Sequence, residues 1–124
     1  MQDIELLVNS FYEKVKQDDL IGPIFNEVAR VNWEKHLPIM YDFWENILFA
    51  SGRYSGNPMV SHARLHEKFP LNEEHFERWT EIFIETVDLH FEGQKAELAK
   101  LRASSIAVHM FRRVTEPRRP LSGL

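Results

Sequence analysis

Apolar residues recur at three- and four-residue steps along most of the chain. Over residues 3–17, Ile4, Leu7, Val8, Phe11 and Val15 mark one face, which predicts an amphipathic helix with Asp3 as its N-cap. The segment DDLIGPIF (18–25) holds Gly22 and Pro23 and reads as a tight turn. Over 31–50, Trp33, Leu37, Met40, Trp44, Ile47 and Leu48 share a stripe. Pro38 lies inside it, so that helix is expected to start late or to kink near His36. GRYSGNP (52–58) is a loop, and a short helical piece over 59–68 precedes Pro70. Asn72, followed by Glu73 and Glu74, has the form of a capped helix start. That helix runs through Phe76, Trp79, Phe83, Val87 and Phe91 and ends at Gly93. A last helix over about 94–115 carries Leu98, Leu101, Ala103, Ile106, Met110 and Val114. There is no alternating strand pattern and no internal repeat. The reading is an all-α fold, with one domain over 1–116 and a flexible polar tail over 117–124.

Composition narrows the chemistry. The 124 residues are 44% hydrophobic, enough for a real core. Nine Phe, three Tyr and three Trp supply flat side chains that can fill a core or line a slot for a flat ligand. A formal net charge of -4 gives no electrostatic case for nucleic acid. The absence of cysteine removes disulfides, thiolate metal sites and cysteine nucleophiles together. The acidic, amphipathic start is unlike a signal peptide, and no apolar run approaches a membrane span. The expectation is a cytoplasmic protein with no nucleic-acid or membrane partner.

Six histidines carry what metal chemistry remains. His36, Met40 and Phe43 fall at i, i+4 and i+7 on one helix face, and His62 and His66 are four apart. No phosphate loop, HExxH pair or nucleophile elbow occurs. Nor do matched Glu-x-x-His pairs that would suggest a di-metal bundle. Haem binding asks for a neutral imidazole, an apolar slot with aromatic walls and few polar groups on the far side. These histidines and stripes suit that need, but a haem-free helical interaction module would carry the same stripes as plain core.

The order of short motifs is more specific than any one of them. LVNSFYEKV, LIGPIF, WEKHLPIMYDFW, YSGNPM and HEKFPLNEEHFERW follow one another over residues 4–111. In that order they resemble the truncated haemoglobins, and in detail those of the third group. The resemblance implies a two-over-two helical sandwich around one haem b. It implies that Phe25 lies against the haem, that Met40 and Phe43 floor the pocket, and that His36 and Trp79 border it. Tyr12, His36 and Trp79 would face an iron-bound ligand. The proximal iron ligand would be His66, counting back thirteen residues from Trp79, with His62 as the alternative when counting forward from YSGNP. Arg53, Arg64 and Lys68 would be candidates to pair with the haem propionates, while His75, His90 and His109 receive no role. Phe11 and Tyr12 are neighbours, so only one of them is expected to point fully inward.

The implied function is binding of O2, CO or NO at a pentacoordinate iron. Redox, NO or peroxide chemistry fits the resemblance better than bulk oxygen transport. The resemblance is compatible with NO dioxygenase- or peroxidase-like activity and with a reductase partner, which the sequence does not identify.

Overall fold

The computed structural model describes residues 2–50, 52, 66 and 69–115. His62, Arg53, Arg64, Lys68 and the 117–124 tail lie outside the described residues. Helix α1 (Gln2–Gln17) buries Ile4, Leu7, Val8, Phe11, Tyr12 and Val15. The helix already includes Gln2, so Asp3 is a first-turn acid favoured by the helix dipole and not the N-cap. Phe11 and Tyr12 are both buried, at 1% and 5% exposure, against the expectation that only one would turn inward. The reason is that α1 is covered on two sides. Phe11 meets Phe83, while Tyr12 meets Phe25 and Trp33.

The turn after α1 doubles back tightly. The Asp18 carboxylate accepts the N–H groups of Leu20 and Ile21, and the Gly22 N–H donates to the Asp18 carbonyl. A Cβ on Gly22 would sit 2.8 Å from the Lys16 carbonyl oxygen, so only glycine lets the two backbone segments approach so closely. The chain does not stop turning at Phe25, because Ile24–Val28 forms a π-helical turn.

Helix α2 (Trp33–Phe49) passes through Pro38. It does not start late: the Asn32 side chain accepts the Lys35 N–H and caps the first turn. Helix α3 (Glu73–His90) opens with the expected Asn72 cap. It ends at His90 with Phe91 as C-cap, two residues before Gly93. Helix α4 (Gln94–Thr115) presents Ala96, Ala99, Ala103 and Ala107 as a buried stripe. These small side chains permit close helix approach.

Helix α3 packs on α4 and on α1, α1 packs on α2, and α2 touches α4. Two helix pairs are thereby laid one over the other. The core between them is aromatic: Trp44 stacks on Phe83 at 4.5 Å, and Phe11 meets Phe83 edge-on at 5.2 Å. Among the described residues, no helix is long and apolar enough to cross a membrane.

Candidate functional site

Beside this core the helices leave a cavity of about 360 Å³. A space of this size is in the range of pockets that take a small-molecule ligand or cofactor. Its walls include Ile24, Phe25, Met40, Phe43, Leu71 and Phe76, with Ile106 and Met110 from α4. Among the described residues, polar side chains on the walls are confined to Tyr12, His36, His75 and Trp79. That is the chemistry of a pocket for a large flat apolar group with a few hydrogen-bond donors on hand. Every wall residue expected from the sequence, Phe25, His36, Met40, Phe43 and Trp79, lines it, as does Tyr12.

The polar wall is held by ring contacts. Tyr12 meets His36 edge-on at 5.2 Å and Trp33 at the same distance, while Phe25 stacks with Trp33 at 6.1 Å. Trp79 stands against Phe11 at 5.5 Å and Phe83 at 5.8 Å. Burial pushes the Tyr12 phenol far up, so it remains an O–H donor at any physiological pH. The His36 Nε2 is sealed from solvent.

His75 is the polar wall residue that sequence reasoning missed, beside apolar ones such as Leu71 and Phe76. It occupies the third position of α3, where its Nδ1 accepts the Asn72 N–H at 3.0 Å while the Asn72 side chain accepts the His75 N–H. Burial lowers its pKa, and Glu74 opposes this only in part. The neutral ring therefore holds its proton on Nε2. The available signal was positional: a histidine four residues before Trp79 shares its helix face.

His66 is half-buried, and its Nδ1 accepts the Leu71 N–H at 2.8 Å. Leu71 is a wall of the cavity; His66 is not among the described residues that line it. With Nδ1 acting as acceptor, a neutral His66 also carries its proton on Nε2, the atom that would have to be bare to bind a metal. No cluster of three metal-ligating side chains occurs among the described residues. A haem needs only one such ligand, so the apolar walls and the few donors suit it.

Comparison with known proteins agrees with this architecture. The bacterial-like globin family matches residues 1–114. The group 3 truncated hemoglobin of Campylobacter jejuni is 32% identical over 111 residues, covering 87% of this chain and 85% of that protein. A crystal structure of a group III truncated hemoglobin from Campylobacter jejuni superposes with a TM-score of 0.80 at 29% identity, covering 96% of this chain and 94% of the other. Fold, cavity and sequence together place this chain in the bacterial-like globin family, as a truncated haemoglobin of the third group.

Proposed function

We propose that the cavity holds one haem b and that the protein binds O2, CO or NO at its iron, serving redox, NO or peroxide chemistry more than bulk oxygen transport. The observation that carries the reading is the apolar cavity whose polar side chains Tyr12, His36 and Trp79 come from three different helices. When bound, haem supplies an iron with one open position for a diatomic ligand.

The chain's own residues supply the rest. Phe25, Met40 and Phe43 offer flat or pliable apolar surface to the macrocycle. The Tyr12 O–H, the Trp79 indole N–H and His36 are the donors available to the negatively polarised outer atom of a diatomic ligand. Each such bond contributes on the order of 1–2 kcal/mol, so two slow ligand release by roughly thirtyfold to several hundredfold. Slow release suits chemistry on the ligand better than carriage.

The proximal imidazole comes from His66 or His62. The Leu71 N–H on the His66 Nδ1 counts against His66 in this arrangement, and the two variants below decide between them. An unidentified reductase is the expected partner for NO chemistry.

The test is the ultraviolet–visible spectrum of ferric, ferrous and CO-bound protein, beside His62→Ala and His66→Ala. A Soret band in the native protein, lost only in one variant, supports the haem reading and identifies the ligand. Failure of the native chain to take up hemin would leave the haem-free interaction module.

A further inference from the structure

The cavity lies beside the core, and one of the ring contacts at its wall leads outward. Trp33 is half-buried and stands 5.2 Å from the Tyr12 ring, 5.7 Å from the His36 ring and stacked at 6.1 Å on Phe25. On its other side the Lys16 ammonium lies 4.6 Å from the indole centroid, and Lys16 is itself paired with Glu13 at 3.1 Å. The other tryptophans are placed differently. The described ring contacts of Trp79 run to Phe11 and Phe83, and those of Trp44 to Phe43 and Phe83. Phenylalanine gives up an electron far less readily than tyrosine or tryptophan. Moreover, Phe83 and Trp44 are sealed in the core at 0% and 1% exposure. Tyr12 and Trp33 thus form a direct pair of oxidisable rings with one member on the cavity wall and the other at the surface.

We propose that Trp33 is a surface electron relay, which with Tyr12 carries single electrons from small phenolic reductants into the cavity. The proposal rests on the peroxide-handling part of the function proposed above. Reduction of a peroxide ROOH to ROH and water takes two electrons and two protons. Two phenols supply both, each leaving as a phenoxyl radical: ROOH + 2 ArOH gives ROH + H2O + 2 ArO•. Each electron passes from phenol to Trp33 and from Trp33 to Tyr12, through rings in van der Waals contact. An oxidised Tyr12 sheds its phenolic proton, and the adjacent His36 imidazole accepts it and returns it when Trp33 restores the electron. The Lys16 charge over the indole opposes a positive charge on that ring. An oxidised Trp33 is thereby pressed to release its N–H proton to water or to draw an electron from a bound phenol.

The experiment uses the full chain loaded with ferric hemin, treated with hydrogen peroxide and a nitroso spin trap, followed by peptide mass mapping. The expected result is a trap adduct on Trp33, suppressed by excess phenol. In Tyr12→Phe the Trp33 adduct falls severalfold; in Trp33→Phe the label shifts to Tyr12. Lys16→Gln, which leaves both rings intact, keeps the adduct on Trp33 and guards against a Trp33 variant that fails to fold. Peroxide consumption with Trp33 unlabelled, or a Trp33 adduct indifferent to Tyr12→Phe, would overturn the relay while leaving the haem reading intact. Hemin-loaded protein that consumes no peroxide would overturn it too. Absence of hemin uptake would sink both readings at once.

Discussion

The two halves of α3 carry the same apolar periodicity and do different work. In the C-terminal half, Ile82, Phe83, Thr86 and Val87 are fully buried against α1, α2 and α4. In the N-terminal half, His75, Phe76 and Trp79 are only half-buried, because part of their face meets the cavity, although Trp79 also touches Phe11 of α1 and Phe76 touches Phe111 of α4. One half is packed for stability, and the other is left short of partners so that something can be bound. The stripe alone cannot reveal this, since hydrophobic spacing records which face turns inward and not what it meets there.

The sharpest way to break the comparison is to shorten one ring in each half. Phe83→Ala should cost about 3–5 kcal/mol of unfolding free energy, read by denaturant titration, because Phe11, Trp44 and Trp79 all rest on that ring. Trp79→Phe should cost less than about 1.5 kcal/mol yet speed ligand release from hemin-loaded, reduced protein several times over. If both changes cost the same stability and neither alters ligand release, the two halves are equivalent and the contrast fails.

A smaller effect is expected where α3 is clipped to the turn after α1. The Arg78 Nε donates to the Asp18 carboxylate at 2.7 Å, and that carboxylate is only 7% exposed. Burial raises the Asp18 pKa, but the Ile21 and Leu20 N–H groups and Arg78 outweigh it and hold the carboxyl below its ordinary range. A folded pKa lower than the unfolded one means stability that is present above the ordinary carboxylate range and lost as pH falls through the folded value. Asp18→Asn should therefore cost about 1–2 kcal/mol at neutral pH and little in strong acid. An equal loss at both pH values would show that the charge is irrelevant.

The smallest effect belongs to the His75 cap. Its folded pKa lies below the usual histidine value, so the unfolded chain takes up the proton first. The cap's contribution is complete above the ordinary histidine range and fades as pH falls through it, because a proton on Nδ1 would face the Asn72 N–H. His75→Gln should flatten that part of the stability–pH curve. An unaltered slope would assign the titration to another group.

The helices were legible because their apolar stripes and the Asn72 cap are local signals. The Tyr12–His36–Trp79 grouping was legible through family resemblance and not through spacing, since the three residues lie on separate helices. Three details escaped, the first because partners distant in sequence decide it, the other two because short side-chain bonds leave no mark on apolar periodicity. Phe11 and Tyr12 are both buried because α1 is sandwiched. The helix through Pro38 begins at Trp33 because Asn32 caps it. His75 joins the cavity wall because its Nδ1 folds back on Asn72. The Leu71 N–H held on the His66 Nδ1 is a contact that no count of residues could reveal.

That N–H has a neighbour. The amides of Leu71 and Asn72 are consecutive, both precede α3, and each is committed to an imidazole nitrogen. Amides outside a helix ordinarily trade their hydrogens for deuterium fast. Here exchange at both positions requires an imidazole to swing away, so a stretch of connecting chain acquires the isotope protection of regular secondary structure and becomes a built-in reporter on the cavity wall beside it.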